Sequence, residues 1–312
     1  MNTILYMAPI MGVTGCIYRN VYSRFFTGYD KAVTPFIGNT KGRRSSLKDV
    51  LPENNRAGFA LVPQILDDQP ANFIKLAKKL YDMGYGTVNW NLGCPMRMIR
   101  NKRRGSGMLP YHADIVSFLD KTISVIPNRV SLKVRLGSEE RSDLAVLLPQ
   151  LDRFDLEEII VHPRTGVEMY SGKADISAFE ECLSLSKHAF VYNGDIDSLE
   201  KYQTLSERLP SITRWMIGRG GITNPFLPEE IKAQKSVPLH EKEKRFKSFH
   251  DALLEEYQKT LSGPSHLIGK MKEAWEYWSG AMKDGETLFL EISRAKSLKQ
   301  YHAAISASRM IS

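Results

Sequence analysis

Short apolar and β-branched runs alternate with amphipathic stretches of helical spacing up to about residue 235. Between the runs, apolar residues recur every three or four positions, as in Ala71–Met83 and Ile115–Ile126. Eight runs predict strands, at Leu5–Ala8, Lys31–Thr34, Ala60–Ile65, Thr87–Asn91, Val130–Val134, Glu158–Val161, Ala189–Asn193 and Thr213–Ile217. Because strand, helix and strand in this rhythm form parallel βαβ units, residues 1–235 are predicted to form a closed (β/α)8 TIM barrel of the α/β class.

The pattern changes after residue 235, where no further strand is indicated. Four helical segments are predicted there, at 246–257, 267–278, Glu286–Leu298 and Lys299–Met310. Residues 236–312 are therefore expected to form a small helical bundle that follows the barrel.

Charge and cysteine content narrow the function. The chain has 43 Lys and Arg against 35 Asp and Glu, a formal net charge of +8, which favours a polyanionic partner without proving one. Three cysteines without a C-x-x-C pair argue against a disulfide framework or a zinc site, so no metal is expected.

No apolar run approaches the ~18 residues that span a bilayer. Met1–Gly15 lacks the features of a signal peptide. A cytoplasmic protein without a membrane partner is expected, and nothing requires more than a monomer.

Polar or special residues follow seven of the eight predicted strands. The carboxyl ends of the strands in such a barrel share one rim, which carries the active site. The residues at these ends are Ala8, Pro9, Gln64, Asn91, Gly93, Cys94, Pro95, Lys133, Arg135, His162, Arg164, Asn193, Gly194, Asp195, Gly218, Arg219, Gly220 and Gly221. A purely structural barrel would not need this concentration, so an active site is predicted at the rim.

Glycines after the seventh and eighth predicted strands indicate a phosphate site. Gly194 follows one strand, and Gly218, Gly220 and Gly221 surround Arg219 after the next. Bare backbone N–H groups at such turns can cradle a phosphate, and barrels commonly hold phosphate there. A tight turn is the simpler interpretation of any single glycine. The two sites together favour phosphate binding.

Lys133 and Arg135 stand two apart on a predicted strand and therefore share a face. If that face is the barrel lumen, both charges need an anionic partner. A salt bridge in the lower layer of the barrel is the alternative, although the position at the strand end, before Gly137, argues against it.

Cys94 is the candidate for chemistry. A lone cysteine is usually inert, and Cys16 and Cys182, on predicted helices, fit that interpretation. Cys94 instead follows a strand, on a loop bounded by Gly93 and Pro95. Five basic residues come next, namely Arg97, Arg100, Lys102, Arg103 and Arg104. Beside a candidate catalytic thiol they predict contacts with a phosphate backbone, and their positive field is expected to ease loss of the thiol proton.

These motifs resemble those of the tRNA-dihydrouridine synthase family, and the likeness runs over nearly the whole chain. The matching segments are Ala8–Thr14, Asn91–Pro95, Gly105–Leu109, Lys133–Gly137, Val161–Thr165 with Tyr170 and Gly172, Asn193–Ile196 and Ile217–Gly220. Each match is weak alone, but their shared order and spacing make the resemblance specific. Two positions depart from the family pattern. Ile10 stands where the family usually has Met, and Met98 where it usually has Lys.

The resemblance implies an FMN enzyme that reduces a tRNA uridine to 5,6-dihydrouridine, with NADPH as the reductant of the flavin. Hydride would pass from flavin N5 to uracil C6, and Cys94 would protonate C5 as a general acid. Flavin contacts are implied for Ala8, Pro9, Ile10, Gln64, Lys133, His162, Asn193, Gly194, Asp195, Gly218 and Arg219. Contacts to the flipped-out uridine or to the tRNA are implied for Asn91, Arg97, Arg100, Lys102, Arg103, Arg135, Arg164, Lys270 and Lys272.

Three alternatives stay open. Another FMN barrel reductase, acting on a free pyrimidine or an enone, would share the fold and flavin but would not need the basic loop or the helical bundle. An inactive RNA-binding barrel would leave Cys94 dispensable. A lyase or isomerase of a sugar phosphate, with Lys133 as a Schiff base, would be colourless. No motif identifies the uridine that is reduced, or a preference for NADPH over NADH.

Overall fold

The computed structural model of the chain describes residues 3–38 and 45–306. These residues contain ten strands: β1 Ile4–Met7, β2 Lys31–Val33, β3 Ile37–Gly38, β4 Ala60–Val62, β5 Gln64–Leu66, β6 Thr87–Leu92, β7 Arg129–Gly137, β8 Leu156–Thr165, β9 Phe190–Tyr192 and β10 Arg214–Ile217. Neighbouring strands pair in parallel in the order β3-β5-β6-β7-β8-β9-β10-β1-β2-β4.

The ten strands form a closed ring of eight strand positions, because two of these positions are each occupied by two short strands. β4 and β5 are separated only by Pro63, and β2 and β3 by three residues. β4 pairs with β2, while β5 pairs with β3 on one side and with β6 on the other. Proline has no N–H for the ladder, which explains the interruption at Pro63. The predicted (β/α)8 barrel is therefore confirmed, although the sequence did not predict the two breaks.

Helices follow most strands and surround the ring. The α-helices are α1 Cys16–Phe25, α2 Ser45–Lys48, α3 Pro70–Asp82, α4 Arg97–Arg100, α5 His112–Thr122, α6 Ser142–Leu151, α7 Ile176–Leu185, α8 Leu199–Arg208, α9 Arg219–Thr223, α10 Leu227–Ala233, α11 Leu239–Thr260, α12 Pro264–Trp278, α13 Gly285–Arg294 and α14 Leu298–Ser306. Short 3-10 turns lie at Pro52–Asn54, Gly105–Met108, Ile123–Val125 and Ser279–Ala281. The end of the predicted helix Lys299–Met310 lies outside the described residues.

Two apolar clusters build the barrel. The larger lies between the ring and its helices. The smaller fills the middle of the lumen with Tyr6, Ala8, Val33, Val62, Ile160, Val191 and Met216. Since alternate residues of a strand share a face, Glu158, Ile160 and His162 of β8 mark three successive lumen layers. The lumen is thus polar at its amino end, apolar in the middle and polar again at its carboxyl end, which we call the mouth.

The helical bundle packs on the first barrel helix. The Phe249 ring of α11 lies 5.7 Å from Tyr18 and 4.9 Å from Phe26, and 5.8 Å from Trp278 of α12. The predicted stripes of these two helices are confirmed, because Phe246, Phe249, Met271, Trp275 and Trp278 are all buried. In the part of the chain that the structure describes, we find no helix both long and apolar enough to cross a membrane.

Candidate active site at the mouth of the barrel

Cys94 lies between β6 and α4 on a loop whose backbone is held from several directions. Asn91 Oδ1 accepts from the N–H groups of Gly93 and Cys94 at 3.0 and 2.9 Å. The Cys94 carbonyl accepts from Ser106 Oγ at 3.0 Å and from Ser106 N at 3.1 Å. Arg135 Nε donates to the Gly93 carbonyl at 3.0 Å. The thiol is therefore presented on a pre-organised loop.

Glycine at position 105 allows this loop to pack so closely. Gly105 has φ +56, and a Cβ there would lie 2.7 Å from the Cys94 carbonyl oxygen and 2.8 Å from Cys94 Cβ. Gly107 meets the Arg100 backbone in the same way, with a Cβ 2.4 Å from its carbonyl oxygen. The two glycines thus allow the 3-10 turn to pack against Cys94 and Arg100, where a side chain at position 105 or 107 would collide with the backbone.

Cys94 keeps its proton at neutral pH. Burial raises the pKa of the Cys94 thiol, outweighing the Met96 backbone N–H and the charges of Arg135 and Lys133, which lower it. The expectation that the positive field eases loss of the thiol proton is therefore wrong in its net direction. A protonated thiol is the state that a proton donor needs.

Lys133 lies at the mouth beside Asn91 in the strand register and retains some exposure. Burial, together with the nearby charge of Arg135, lowers the pKa of Lys133 to about 7. Among the described residues no carboxylate forms an ion pair with it, which argues against the alternative of a salt bridge in the lower layer. A cation left without an anion here is a binding group for an anionic ligand.

His162 is held as a neutral ring. Its Nδ1 lies 2.7 Å from the Asn193 carbonyl, which can only accept, so Nδ1 carries the hydrogen. Nε2 then accepts from Arg164 NH1 at 3.2 Å. Burial lowers the pKa of His162 well below its usual value, and the charges of Arg135, Lys133 and Arg164 act in the same direction.

Arg164 is almost fully covered, and protein acceptors use all of its N–H groups. It donates to Asp195 Oδ1 at 3.0 Å and Oδ2 at 2.6 Å, to the Ser171 and Gly172 carbonyls at 3.0 and 2.8 Å, and to His162. Only 2% of the residue is exposed. In this arrangement Arg164 has no donor left for RNA, contrary to the sequence-based expectation. It fixes the loop after β8 instead.

The loops after β9 and β10 approach each other as only glycine permits. A Cβ at Gly220 would lie 2.1 Å from the Ile196 carbonyl oxygen. Arg219 donates to Asp195 at 3.2 Å, and its guanidinium lies 4.5 Å from the centre of the Tyr170 ring. Its side chain is 41% exposed, and its other N–H groups have no hydrogen-bond partner among the described residues. These turns and the spare Arg219 donors can receive a phosphate.

The remaining predicted flavin residues lie at the same end of the barrel. Ala8 donates its N–H to the Ile217 carbonyl at 3.0 Å, Pro9 follows it, and the Ile10 N–H donates to Thr14 Oγ1 at 2.8 Å. The Asn193 amide donates to the Met216 carbonyl at 2.8 Å, next to Gly194 and Gly218.

Gln64 lies deeper than the expected flavin contact requires. It is 0% exposed, its Nε2 donates to Asn89 at 2.7 Å, and its Oε1 accepts from Asn91 at 2.7 Å. A side chain covered in this way does not meet a ligand at the mouth in this arrangement. Sequence reasoning missed Asn89, although it shares the lumen face of β6 with Asn91.

An apolar collar surrounds the polar mouth. Six of the eleven exposed large hydrophobic residues of the described chain follow β1, β6 or β8: Met11, Met96, Met98, Val167, Met169 and Tyr170. The Tyr170 ring lies near the guanidinium groups of both Arg135 and Arg219. Exposed thioether and aromatic groups around the rim of a site are typical of a surface that binds a planar apolar ligand such as a nucleobase.

The basic loop after Cys94 is only partly free. Arg97 and Lys102 are exposed and without an ion pair in the described part of the chain. Arg103 stacks on the Tyr111 ring at 4.3 Å. Arg100 lies 3.4 Å from Glu139, and Arg104 lies 2.6 Å from Asp68. Four of the expected RNA contacts therefore lie together beside the thiol, with Arg97 and Lys102 the most available.

Lys270 and Lys272 are bound within the protein, in contrast to the expected tRNA contacts. Lys270 donates to the Gly12 carbonyl of the loop after β1 and to Glu273 at 2.8 Å. Lys272 donates to the Ser293 and Ala295 carbonyls at 2.7 and 2.8 Å, at the end of α13. In this arrangement both ammonium groups stabilise the bundle and its contact with the barrel.

Comparisons with known proteins agree with the sequence motifs. The family model described as Dihydrouridine synthase (Dus) matches residues 6–308. The chain is 28% identical over 233 residues to tRNA-dihydrouridine synthase B of Pseudomonas aeruginosa, covering 73% of this chain and 68% of that protein. It is 25% identical over 297 residues to a probable tRNA-dihydrouridine synthase of Rickettsia conorii, covering 92% of this chain and 87% of the relative. The resemblance inferred from the motifs is thereby confirmed.

Solved structures show the same fold at low identity. The old yellow enzyme from Trypanosoma cruzi aligns with a TM-score of 0.54 and 10% identity, over 76% of this chain and 89% of that one. An old yellow enzyme homologue from Zymomonas mobilis aligns with a TM-score of 0.53 and 12% identity, over 76% and 91%. At such identity the likeness supports the barrel fold alone.

Proposed function

The chain belongs to the dihydrouridine synthase family, and on that premise we propose that it reduces the C5–C6 double bond of a uridine in tRNA. One observation carries the proposal: Cys94 stands on a fixed loop at a barrel mouth where Lys133 has no carboxylate partner among the described residues. The mouth thus combines a proton donor with a site for an anionic cofactor.

The residues present fit a flavin mononucleotide. Lys133 suits the electron-rich edge of the ring, with Ala8, Pro9, Ile10 and His162 around it. The turns at Gly194, Asp195 and Gly218, with the spare donors of Arg219, suit the ribityl phosphate. The Asn193 N–H already donates to the Val161 carbonyl at 2.9 Å, so Asn193 supports these turns from behind. When bound and reduced by NADPH, the flavin supplies the hydride for uracil C6.

Cys94 donates the proton that completes the reduction at C5. Its raised pKa keeps the thiol protonated, and the hydrogen bonds of its loop hold it in place. Asn91 Nδ2 and Arg135 each keep an N–H that is not bonded within the described residues, and we assign these donors to the uracil. Arg135 is held in turn by the Thr165 and Met169 carbonyls.

The tRNA is bound by two parts of the chain. Arg97, Arg100, Lys102 and Arg103 contact its backbone beside the thiol, and the Met98 side of the apolar collar contacts unstacked bases near the flipped-out uridine. The barrel, 1–235, acts as the catalytic domain, and the bundle, 236–312, orients the tRNA through surfaces other than Lys270 and Lys272. We place the reaction in the cytoplasm, with the protein as a monomer.

The test uses the full chain reconstituted with FMN. The protein is expected to be yellow, to lose its flavin absorbance with NADPH, and to add two hydrogen atoms to a uridine of unmodified tRNA, detected by nucleoside mass spectrometry. Cys94→Ala should keep the loss of flavin absorbance and lose the tRNA product. A colourless protein that cannot be reconstituted would overturn the proposal. Reduction of a free pyrimidine or an enone without tRNA reduction would favour the small-substrate reductase.

A further inference from the structure

Four buried side chains form a continuous hydrogen-bonded chain across β5, β6 and β7, which we call the amide chain. Asn89 Nδ2 donates to Ser131 Oγ at 2.8 Å, and Gln64 Nε2 donates to Asn89 Oδ1 at 2.7 Å. Asn91 Nδ2 donates to Gln64 Oε1 at 2.7 Å. Gln64, Asn89 and Ser131 are 0% exposed, and Asn91 is 7% exposed. The chain ends on the backbone of the catalytic loop.

The backbone fixes the direction of every bond in the amide chain. The N–H groups of Gly93 and Cys94 can only donate, so the atom of Asn91 that meets them must be its oxygen. Asn91 Nδ2 then faces Gln64, whose oxygen must accept. Gln64 Nε2 therefore faces Asn89 Oδ1, and Asn89 Nδ2 faces Ser131, whose hydroxyl can either donate or accept.

Asn89 occupies a special place in this chain. Gln64, Asn89 and Ser131 are direct partners in the strand register, and Asn91 lies one layer nearer the mouth on the same face as Asn89. With no exposed surface, Asn89 touches neither a ligand at the mouth nor Cys94. Among the described residues, Asn89 Oδ1 is the only hydrogen-bond acceptor of Gln64 Nε2.

Loss of the Asn89 oxygen would affect Cys94 through two intermediates. Gln64 Nε2 would be left without a partner in a closed lumen, where an unmade hydrogen bond is costly. Gln64 would then rotate to find another acceptor, and its oxygen would leave Asn91. Asn91 would lose the bond that keeps its own oxygen on the Gly93 and Cys94 N–H groups.

We propose that Asn89 is a positioning residue for the proton donor, acting through Gln64 and Asn91 to hold the Cys94 loop in its reactive geometry. This inference rests on the proposed function, in which Cys94 protonates the uracil. It assigns Asn89 no contact with flavin, uracil or RNA.

The test compares Asn89→Leu with Asn89→Asp in the full chain carrying FMN. Leu removes the acceptor for Gln64, whereas Asp keeps one, and the Ser131 hydroxyl can rotate to donate to its second oxygen. Four quantities are measured: flavin reduction by NADPH, single-turnover tRNA reduction at saturating tRNA, the KM for tRNA, and the rate at which iodoacetamide alkylates Cys94. Asn128→Leu is the matched control, because Asn128 is a buried barrel asparagine bonded to the Tyr85 carbonyl before β7 begins, away from the mouth.

Asn89→Leu is expected to slow tRNA reduction by about tenfold or more, the scale of a misplaced reacting group, with KM for tRNA and flavin reduction unchanged. Cys94 should become easier to alkylate as its loop loosens. Asn89→Asp should restore most of both quantities. Asn128→Leu should lower the melting temperature without changing either of them.

Three results would overturn the proposal: a parental rate of tRNA reduction in Asn89→Leu, an equal loss of flavin and tRNA reduction, or an Asp variant as slow as the Leu variant. If Asn89→Leu does not fold, Asn89→Ala, which adds no bulk, is judged by the same outcomes. Failure of the parent protein to reduce tRNA would reject the proposed function instead. The alkylation comparison would still decide the role of the amide chain.

Discussion

At the amino end of the barrel lumen, Glu158 accepts from Tyr6 at 2.8 Å and from Arg214 at 2.9 Å, so that its buried charge has its counterpart within the fold. At the mouth, Lys133 has no carboxylate among the described residues, and Arg135 is bonded to backbone carbonyls. Both ends bury charge in the same lumen. Since an unpaired buried charge is unfavourable, its persistence at one end marks the place where a ligand completes the structure.

The largest expected effect is a loss of tRNA reduction when the cysteine at the mouth is changed but not when a cysteine elsewhere in the barrel is changed. Cys94→Ser should lower single-turnover tRNA reduction by about a hundredfold to ten-thousandfold, the range for loss of a general acid, because a hydroxyl is a far weaker acid than a thiol. Flavin reduction by NADPH should continue. Cys182→Ala is the matched control, since Cys182 is buried on α7, and its tRNA reduction should equal that of the parent. Equal loss in both variants would contradict the assignment.

The next effect compares variants at the two ends of the lumen, which should change stability and FMN affinity in opposite ways. Lys133→Met should raise the melting temperature of the flavin-free protein, because it removes an unpaired cation. It should also weaken FMN binding by roughly tenfold or more, the scale of a hydrogen bond to a charged group. Glu158→Gln should behave in the opposite way, costing about 1–3 kcal/mol of stability by leaving Arg214 without its partner, with FMN affinity unchanged. Thermal unfolding and flavin titration of both variants measure this. If both variants changed stability and FMN affinity in the same direction, the proposed difference between the two ends of the lumen would be wrong.

A smaller effect concerns the exposed cations beside the mouth. The double variant Arg97→Ala, Lys102→Ala should weaken tRNA binding and flatten the dependence of log affinity on log salt by about 1 to 2, as lost phosphate contacts do. Lys78→Ala, Lys121→Ala removes two exposed cations from α3 and α5 on the outer ring and should leave that slope unchanged. Filter binding over a salt series compares the two. Equal slopes would place the tRNA elsewhere.

A further effect is a pH dependence of stability that arises from Lys133 at the mouth of the lumen. Burial lowers the pKa of Lys133 from 10.5 to about 7, so the unfolded chain holds this proton more tightly than the folded one. The flavin-free protein should therefore gain stability as the pH rises from about 7 toward 10.5. FMN affinity should fall as the pH rises above about 7, because the Lys133 ammonium of the flavin-free folded protein then loses its charge. Denaturant midpoints of the parent and Lys133→Met isolate the effect, and parallel curves would contradict it.

The sequence predicted the barrel well because periodicity and strand order decide it. The eight predicted strands lie within a few residues of those observed, although β7 and β8 extend further toward the mouth than Val134 and Val161. The breaks between β2 and β3 and at Pro63 were missed, since they depend on how neighbouring strands pair.

Side-chain partners were harder to predict than positions. Lys270, Lys272 and Arg164 were expected to be free for RNA because a sequence shows charges but not their acceptors. Those acceptors are largely carbonyls of other segments, such as that of Gly12, 258 residues from Lys270. Asn89 was missed for the same reason. Only the register places it between Gln64 and Ser131.

The bond from Lys270 to the Gly12 carbonyl joins the last quarter of the chain to its first loop. Gly12 adjoins Met11 of the apolar collar, and Lys270 begins the half of α12 that carries Trp275 and Trp278. A shift of this end of α12 would therefore pull on the loop that carries Met11, in addition to acting on the ring contacts of Phe249 with Tyr18 and Phe26.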